Sequence, residues 1–124
     1  MNTLTKADWD SKIPIYKIPL QKLHKQGIKS LLIDVDGTLL NRKTKKIPLK
    51  VKNWMIKSRK IFSIYLVSNN PSKERIEKIG NELGVRYKHK ALKPSKKVTK
   101  EVINILKEDR KNIAFIGDRI LTDV

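Results

Sequence analysis

The sequence predicts an α/β fold, a three-layer sandwich with a central parallel sheet, in a single domain over residues 1–124. Three observations predict it. The runs 31–35 and 61–67 are apolar almost throughout instead of alternating, the pattern of strands buried on both faces. Segments between the runs carry apolar residues at spacings of three and four, the pattern of helices that cover a sheet. Strand and helix signals also alternate along the chain, strand–helix three times and then a strand. Right-handed crossovers turn that order into parallel strands with helices on their faces.

Residues 1–28 read as a polar N-terminal extension with short apolar pieces. Pro14 and Pro19 argue against a long helix there, and 20–25 suit a short helical turn before Gly27. The first strand, Leu31-Leu32-Ile33-Asp34-Val35, is stopped by the turn chemistry of Asp36-Gly37-Thr38. A solvated basic loop over 41–46 follows. Pro48 suits the first position of a helix over 48–60, with Val51, Met55 or Trp54, and Ser58 on one side. The second strand, 61–67, ends in Ser68-Asn69-Asn70-Pro71, where Asn70 suits a cap and Pro71 the opening of the next helix. In that helix Ile76, Ile79 and Leu83 form one stripe, and Gly84 stands where a left-handed stop belongs. A short third strand over 85–87 and a helix over 95–108 come next. A fourth strand over 113–116 runs into Gly117-Asp118.

Composition narrows the function. A chain of 124 residues has room for one modest core. With no cysteine, disulfides and thiolate metal sites are excluded. The formal net charge is +17, from 29 basic and 12 acidic residues. Such a field draws polyanions: nucleic acid, anionic lipid or phosphorylated substrates. The excess of 23 lysines over 6 arginines, with only three alanines, equally fits the bias of an AT-rich genome. Nucleic acid is not the expected partner, because arginine is scarce and Trp9, Trp54 and the tyrosines are too scattered for a stacking platform. His24 and His89 have no partner at ligand or triad spacing and are expected on the surface. No apolar stretch approaches the roughly 20 residues of a membrane span, and no signal-peptide block opens the chain. The expected location is cytoplasmic or organellar (plastid or mitochondrial), peripheral to a membrane and not secretory.

The candidate chemistry is positional. Asp34 and Asp36 end strand one, Ser68 ends strand two, Lys93 follows strand three and Asp118 ends strand four. Ligands of parallel sheets bind beyond the carboxyl ends of the strands, so all these groups face one crevice. Taken singly, each has a bland reading as turn former, cap or one lysine among many; charged groups ending strongly apolar strands are costly without a purpose. Together they match phosphoryl transfer. Mg²⁺ prefers a few carboxylates with phosphate oxygens and water, and Asp34 and Asp118 can supply the carboxylates. Asp34 can also attack phosphorus. Asp36, two residues on in extended geometry, points the same way and can act as acid and then base. Ser68, the amide of Asn69, Thr38 and Lys93 are candidates for phosphate binding, Lys93 also offsetting the carboxylates. Asp123 can hold a metal-bound water or brace Lys93.

Asp34-Val35-Asp36-Gly37-Thr38-Leu39-Leu40 resembles the nucleophile motif of the haloacid-dehalogenase-like (HAD) phosphatases. Ser68-Asn69-Asn70, Lys93-Pro94 and Gly117-Asp118-Arg119-Ile120-Leu121-Thr122-Asp123-Val124 resemble the remaining motifs, in order. Within that superfamily, the Ser-Asn-Asn ending, the Lys90 to Pro94 stretch and the final motif are similar to the class IIIA, YqeG-type branch, which includes phosphatidylglycerophosphate phosphatases. The resemblance spans residues 13–124. It implies a capless Rossmann-type domain with Asp34 as nucleophile and Asp36 as acid/base. It further implies Mg²⁺ held by Asp34, the Asp36 carbonyl and Asp118, with Asp123 in support, and phosphate bound by Ser68 and Lys93. The branch often carries asparagine where Gly37 stands. Relatives continue beyond the last motif, so the C-terminal strand is expected to be missing and a sheet edge exposed. The implied reaction is hydrolysis of phosphatidylglycerophosphate to phosphatidylglycerol. The alternatives are the same chemistry on a soluble sugar phosphate or a nucleic-acid 3′-phosphate, and a basic binding protein with a decayed or truncated site. The oligomeric state stays open.

Overall fold

Continuous apolar runs need cover on two faces, and the architecture supplies it. The computed structural model describes residues 14–41, 43, 46–68, 70–89, 100–101, 104–105, 110–117 and 122–123. Its strands are β1 (Ser30–Asp34), β2 (Ser63–Ser68), β3 (Arg86–His89), β4 (Ile113–Ile116) and β5 (Thr122–Asp123). The helices are α1 (Leu20–Lys25), α2 (Leu49–Ile61) and α3 (Lys73–Leu83), with a 3₁₀ turn over Ile15–Lys17. The strands line up in the order β3-β2-β1-β4-β5. Pairings β1–β2, β1–β4 and β2–β3 are parallel, with Asp34 opposite Val67 and Ile33 opposite Ile116. The fold is α/β, as the alternation of runs predicts.

Strands β1, β2 and β4 divide their side chains between two apolar layers. Leu31, Ile33, Ile64, Leu66, Ala114 and Ile116 join the larger one; Leu32, Tyr65, Val67 and Ile113 join the smaller. The larger layer is closed by α2, through Val51, Trp54, Met55 and Ser58, and by α3, through Ile76, Ile79 and Leu83. Ile15, Ile18 and Leu23 are buried in the same layer, and the Trp54 indole Nε1–H donates to the Ile18 carbonyl at 3.1 Å. From residue 14 onward, the segment expected as an extension therefore contributes to the core. On the side of the smaller layer Glu101, in a helical stretch, pairs with Lys88 of β3 at 2.5 Å, and Lys88 lies opposite Val67. The rest of the expected 95–108 helix lies outside the described residues.

Several element boundaries move for local reasons. Helix α3 does not open at Pro71. Asn70 Oδ1 accepts from the Ser72 N–H at 2.8 Å, and Ser72 then caps by accepting from the Arg75 N–H at 3.3 Å. Pro48 is the cap position of α2, one residue ahead of its expected place. Gly84 closes α3 at φ +68°, as expected. Strand β3 runs to His89 because its backbone continues to pair with β2 as far as Ser68. Strand β5 was not legible in the sequence. It pairs antiparallel with β4, Ala114 opposite Asp123 and Phe115 opposite Thr122, on the edge expected to be bare. No helix of the described residues is long and apolar enough to cross a membrane.

Candidate active site

From β1 the chain moves by way of α2 to β2 and by way of α3 to β3, all on one side; it then returns to the other side of β1 as β4. Connections therefore diverge between β1 and β4, and their carboxyl ends leave an open crevice between them. Asp34 is the last residue of β1 and is partly exposed there. Its carboxylate leans towards β4: a Cβ built on Gly117, the residue after that strand, would lie 3.1 Å from Asp34 Oδ2. A side chain at this position would crowd the carboxylate, which glycine lets sit close to the β4 end. Asp118 is the next residue, and its own placement lies outside the described residues, as do those of Asn69 and Lys93.

Asp36 is not extended from β1. The strand stops at Asp34, and a tight turn follows in which the Val35 carbonyl accepts from the N–H groups of Leu39 and Leu40, at 3.0 and 3.1 Å. Gly37 takes φ +84° in this turn and donates to the Leu40 carbonyl at 2.7 Å. The turn takes Asp36 out of the extended geometry on which the two carboxylates were expected to point alike, and gives them different neighbours. Asp34 faces the β4 side; Asp36 is held on the β2 side. There, Asp36 Oδ2 accepts from the Ser68 hydroxyl at 3.1 Å, and Oδ1 accepts from Arg75 Nε at 2.9 Å. Arg75 also donates from Nη2 to the Asn41 carbonyl at 3.0 Å. Both members of the ion pair are largely buried, with side chains 14% and 12% exposed, so this is more than a surface contact.

Ser68 is buried, and its hydroxyl also accepts from the Asn70 N–H at 3.1 Å. It braces Asp36 and the following loop at once. Thr38 lies in the β1 turn with its hydroxyl buried and without a hydrogen-bond partner, lining a shallow depression of about 550 Å³ with Gly37, Leu39, Leu40, Asn41 and Lys43. The backbone of Asp123 lies elsewhere. Its register with Ala114 sets it level with Leu31, three residues short of Asp34, or about 10 Å along the sheet.

Two residues at this end of the sheet were not selected from sequence. Arg75 sits in the first turn of α3, three residues after the Ser72 cap, where a side chain can reach back over the strand ends. That position relative to the cap was the available signal. His89, expected on the surface, is the half-buried last residue of β3 beside Ser68, and its Nε2–H donates to the Asn70 carbonyl at 2.6 Å. His24 is exposed as expected, its ring edge-on to Phe62.

The described residues hold no group of three acidic or imidazole side chains able to bind a metal. What they offer are oxygens: the Asp34 carboxylate at the crevice and the unpartnered Thr38 hydroxyl. Such a donor set, in a chain without cysteine, fits a hard cation or phosphate rather than a soft metal.

The sheet and its strand ends define a Rossmann-type α/β domain, with one aspartate at the switch point and a second clamped in the turn beyond it. The chain belongs to the mitochondrial PGP phosphatase family, whose model matches residues 4–124. Over 111 residues it is 26% identical to a protein of Bacillus subtilis (strain 168) described as a probable phosphatase, YqeG. That alignment takes in 89% of this chain and 64% of the relative, so the chain spans less than two thirds of the curated protein it matches. No solved structure gives a significant match. The haloacid-dehalogenase-like, YqeG-type membership implied by the motifs is met by these two findings.

Proposed function

We propose that this chain carries the active site of a phosphomonoester hydrolase that works through phosphorylation of Asp34. The observation that carries the reading is the Asp34 carboxylate at the switch point, packed against Gly117 immediately before Asp118. Asp34 attacks phosphorus, the ester bond breaks, and the alkoxide leaves with a proton from Asp36. Asp36 then takes a proton from the water that hydrolyses the aspartyl phosphate, which returns Asp34 and releases inorganic phosphate. Thr38, Asn69 and Lys93 hold the phosphate oxygens, while Ser68, whose one hydroxyl hydrogen goes to Asp36 Oδ2, braces the acid/base instead of the phosphate. Mg²⁺ would be held by Asp34, the Asp36 carbonyl and Asp118, with Asp123 supporting from further off. When bound, it neutralises the charge that separates a dianionic ester from a carboxylate.

The substrate we infer is phosphatidylglycerophosphate, hydrolysed to phosphatidylglycerol at the surface of an organellar membrane. The family description supports this, as does a +17 chain that anionic lipid attracts at about 1 kcal/mol for each basic residue near the surface. The loop between β1 and α2 contains no helix or strand among its described residues, consistent with a site open to a headgroup held in a bilayer.

The test is phosphate release from phosphatidylglycerophosphate in mixed micelles, beside soluble sugar phosphates and a 3′-phosphorylated oligonucleotide, with Mg²⁺ and with chelator. Lipid preference that chelation abolishes is expected. Equal or better turnover of soluble esters would discard the lipid assignment. In the same assay Asp34→Asn is expected to lower kcat by at least about 10³-fold with an unchanged circular-dichroism spectrum; retained turnover would remove Asp34 as the nucleophile.

A further inference from the structure

We infer that Arg75 is a positioning residue for proton transfer: it fixes the Asp36 carboxylate for the leaving group by tying it to the loop after β1. The inference rests on the reading of Asp36 as acid and base. A carboxylate just beyond a tight turn has two free torsions and no helix or strand to hold it. Here both of its oxygens are engaged, Oδ2 by Ser68 from β2 and Oδ1 by Arg75 from α3. Arg75 is itself held at several points. Its N–H is capped by Ser72, Nε meets Asp36, and Nη2 meets the Asn41 carbonyl at the far end of the same turn. One planar guanidinium thus spans residues 36 and 41 and sets the shape of the loop that carries Asp36. Lysine, a single compact charge, cannot hold both points at once. The pair is largely buried, so its geometry is not shared with competing water.

General acid catalysis matters most when the leaving group is poor, and this separates positioning from mere folding. In kcat/KM, which ends at departure of the leaving group, Arg75→Ala is expected to cost about 10²-fold on an alkyl phosphate. On p-nitrophenyl phosphate, whose leaving group needs no proton, the cost is expected to stay under about 10-fold. Asp36→Asn should show the same split, and the double variant should be no worse than Asp36→Asn alone. Arg75→Lys should fall between wild type and Arg75→Ala on the alkyl ester and provides a folded comparison if Arg75→Ala is too unstable to assay. Equal losses on both esters, losses that add to those of Asp36→Asn, or an effect on KM alone would each overturn the inference. If Asp36→Asn itself shows no leaving-group dependence, the reading of Asp36 fails. If Asp36→Asn behaves as expected and the Arg75 variants do not, the reading stands and the inference alone is lost.

Discussion

Helix α3 lies on β3 through a glycine, and replacing it tests how closely the two elements are fitted. Gly80 is buried in α3, and a Cβ built there overlaps Tyr87 Cδ1 of β3 outright, with Cγ at 3.0 Å and Cε1 at 3.1 Å. Carbon atoms rest comfortably at about 3.5–4.0 Å. Cγ is the root of the ring, one bond from the tyrosine Cβ, so the ring cannot clear the methyl by swinging its far end. Either Tyr87 leaves its rotamer or α3 lifts from the sheet, at a cost in the upper part of the overpacking range, about 2–3 kcal/mol. Against this, alanine gains about 1 kcal/mol over glycine inside a helix. The overlap should win, and Gly80→Ala is expected to destabilise the fold by about 1–2 kcal/mol. In a Tyr87→Ala background the overlap is gone and the same substitution should stabilise by about 1 kcal/mol. The coupling between the two sites is thus about 2–3 kcal/mol. Urea unfolding followed by circular dichroism, with m-values compared across the cycle, measures it. If Gly80→Ala stabilises the otherwise unaltered chain, or if its cost persists without the tyrosine ring, the close approach of α3 to β3 is not what requires glycine.

Three further outcomes follow from other contacts. Trp54→Phe removes the donor to the buried Ile18 carbonyl and should cost about 1–3 kcal/mol in urea unfolding, loosening the 14–28 segment first; a neutral result would mean that this indole does not anchor it. Gly117→Ala presses a methyl on the Asp34 carboxylate, displacing it by a few tenths of an ångström, and should lower kcat/KM about 10-fold with little change in the thermal midpoint. Lys88 is held above its ordinary lysine value chiefly by its hydrogen bond to Glu101. A raised folded value means that this stabilisation is complete below the unfolded lysine value, about 10.4, and is lost as pH rises through the folded one. The stability advantage over Glu101→Gln should therefore be present at about pH 9 and shrink above about pH 10.5 in thermal melts; an advantage independent of pH across that window would show that the ion pair is not its source.

Much of the fold was legible because burial leaves a direct mark on sequence. Leu31 to Ile33 and Ile64 to Val67 are apolar at every position because both faces of β1 and β2 are covered. Ile76, Ile79 and Leu83 keep a stripe because only one side of α3 is. Gly84 and Gly37 were readable as turn residues, and the structure gives both a positive φ. Strand β5 left no such mark, since a run of two residues is too short to carry a pattern. The start of α3 shifted because Asn70 and Ser72 are both capping residues, and only the three-dimensional turn decides between them.

By itself, the sequence determined which residue types stand at the strand ends, since a carboxylate interrupting an apolar run is visible in one dimension. Tertiary structure alone decided how they are aimed and what they meet. A turn of a few residues, with one glycine at positive φ, sends Asp34 towards β4 and Asp36 towards β2. The arginine that grips Asp36 comes from 39 residues further along, and the histidine beside Ser68 from the end of another strand. Side-chain direction and long-range pairing depend on how separate elements pack, and no local pattern encodes that.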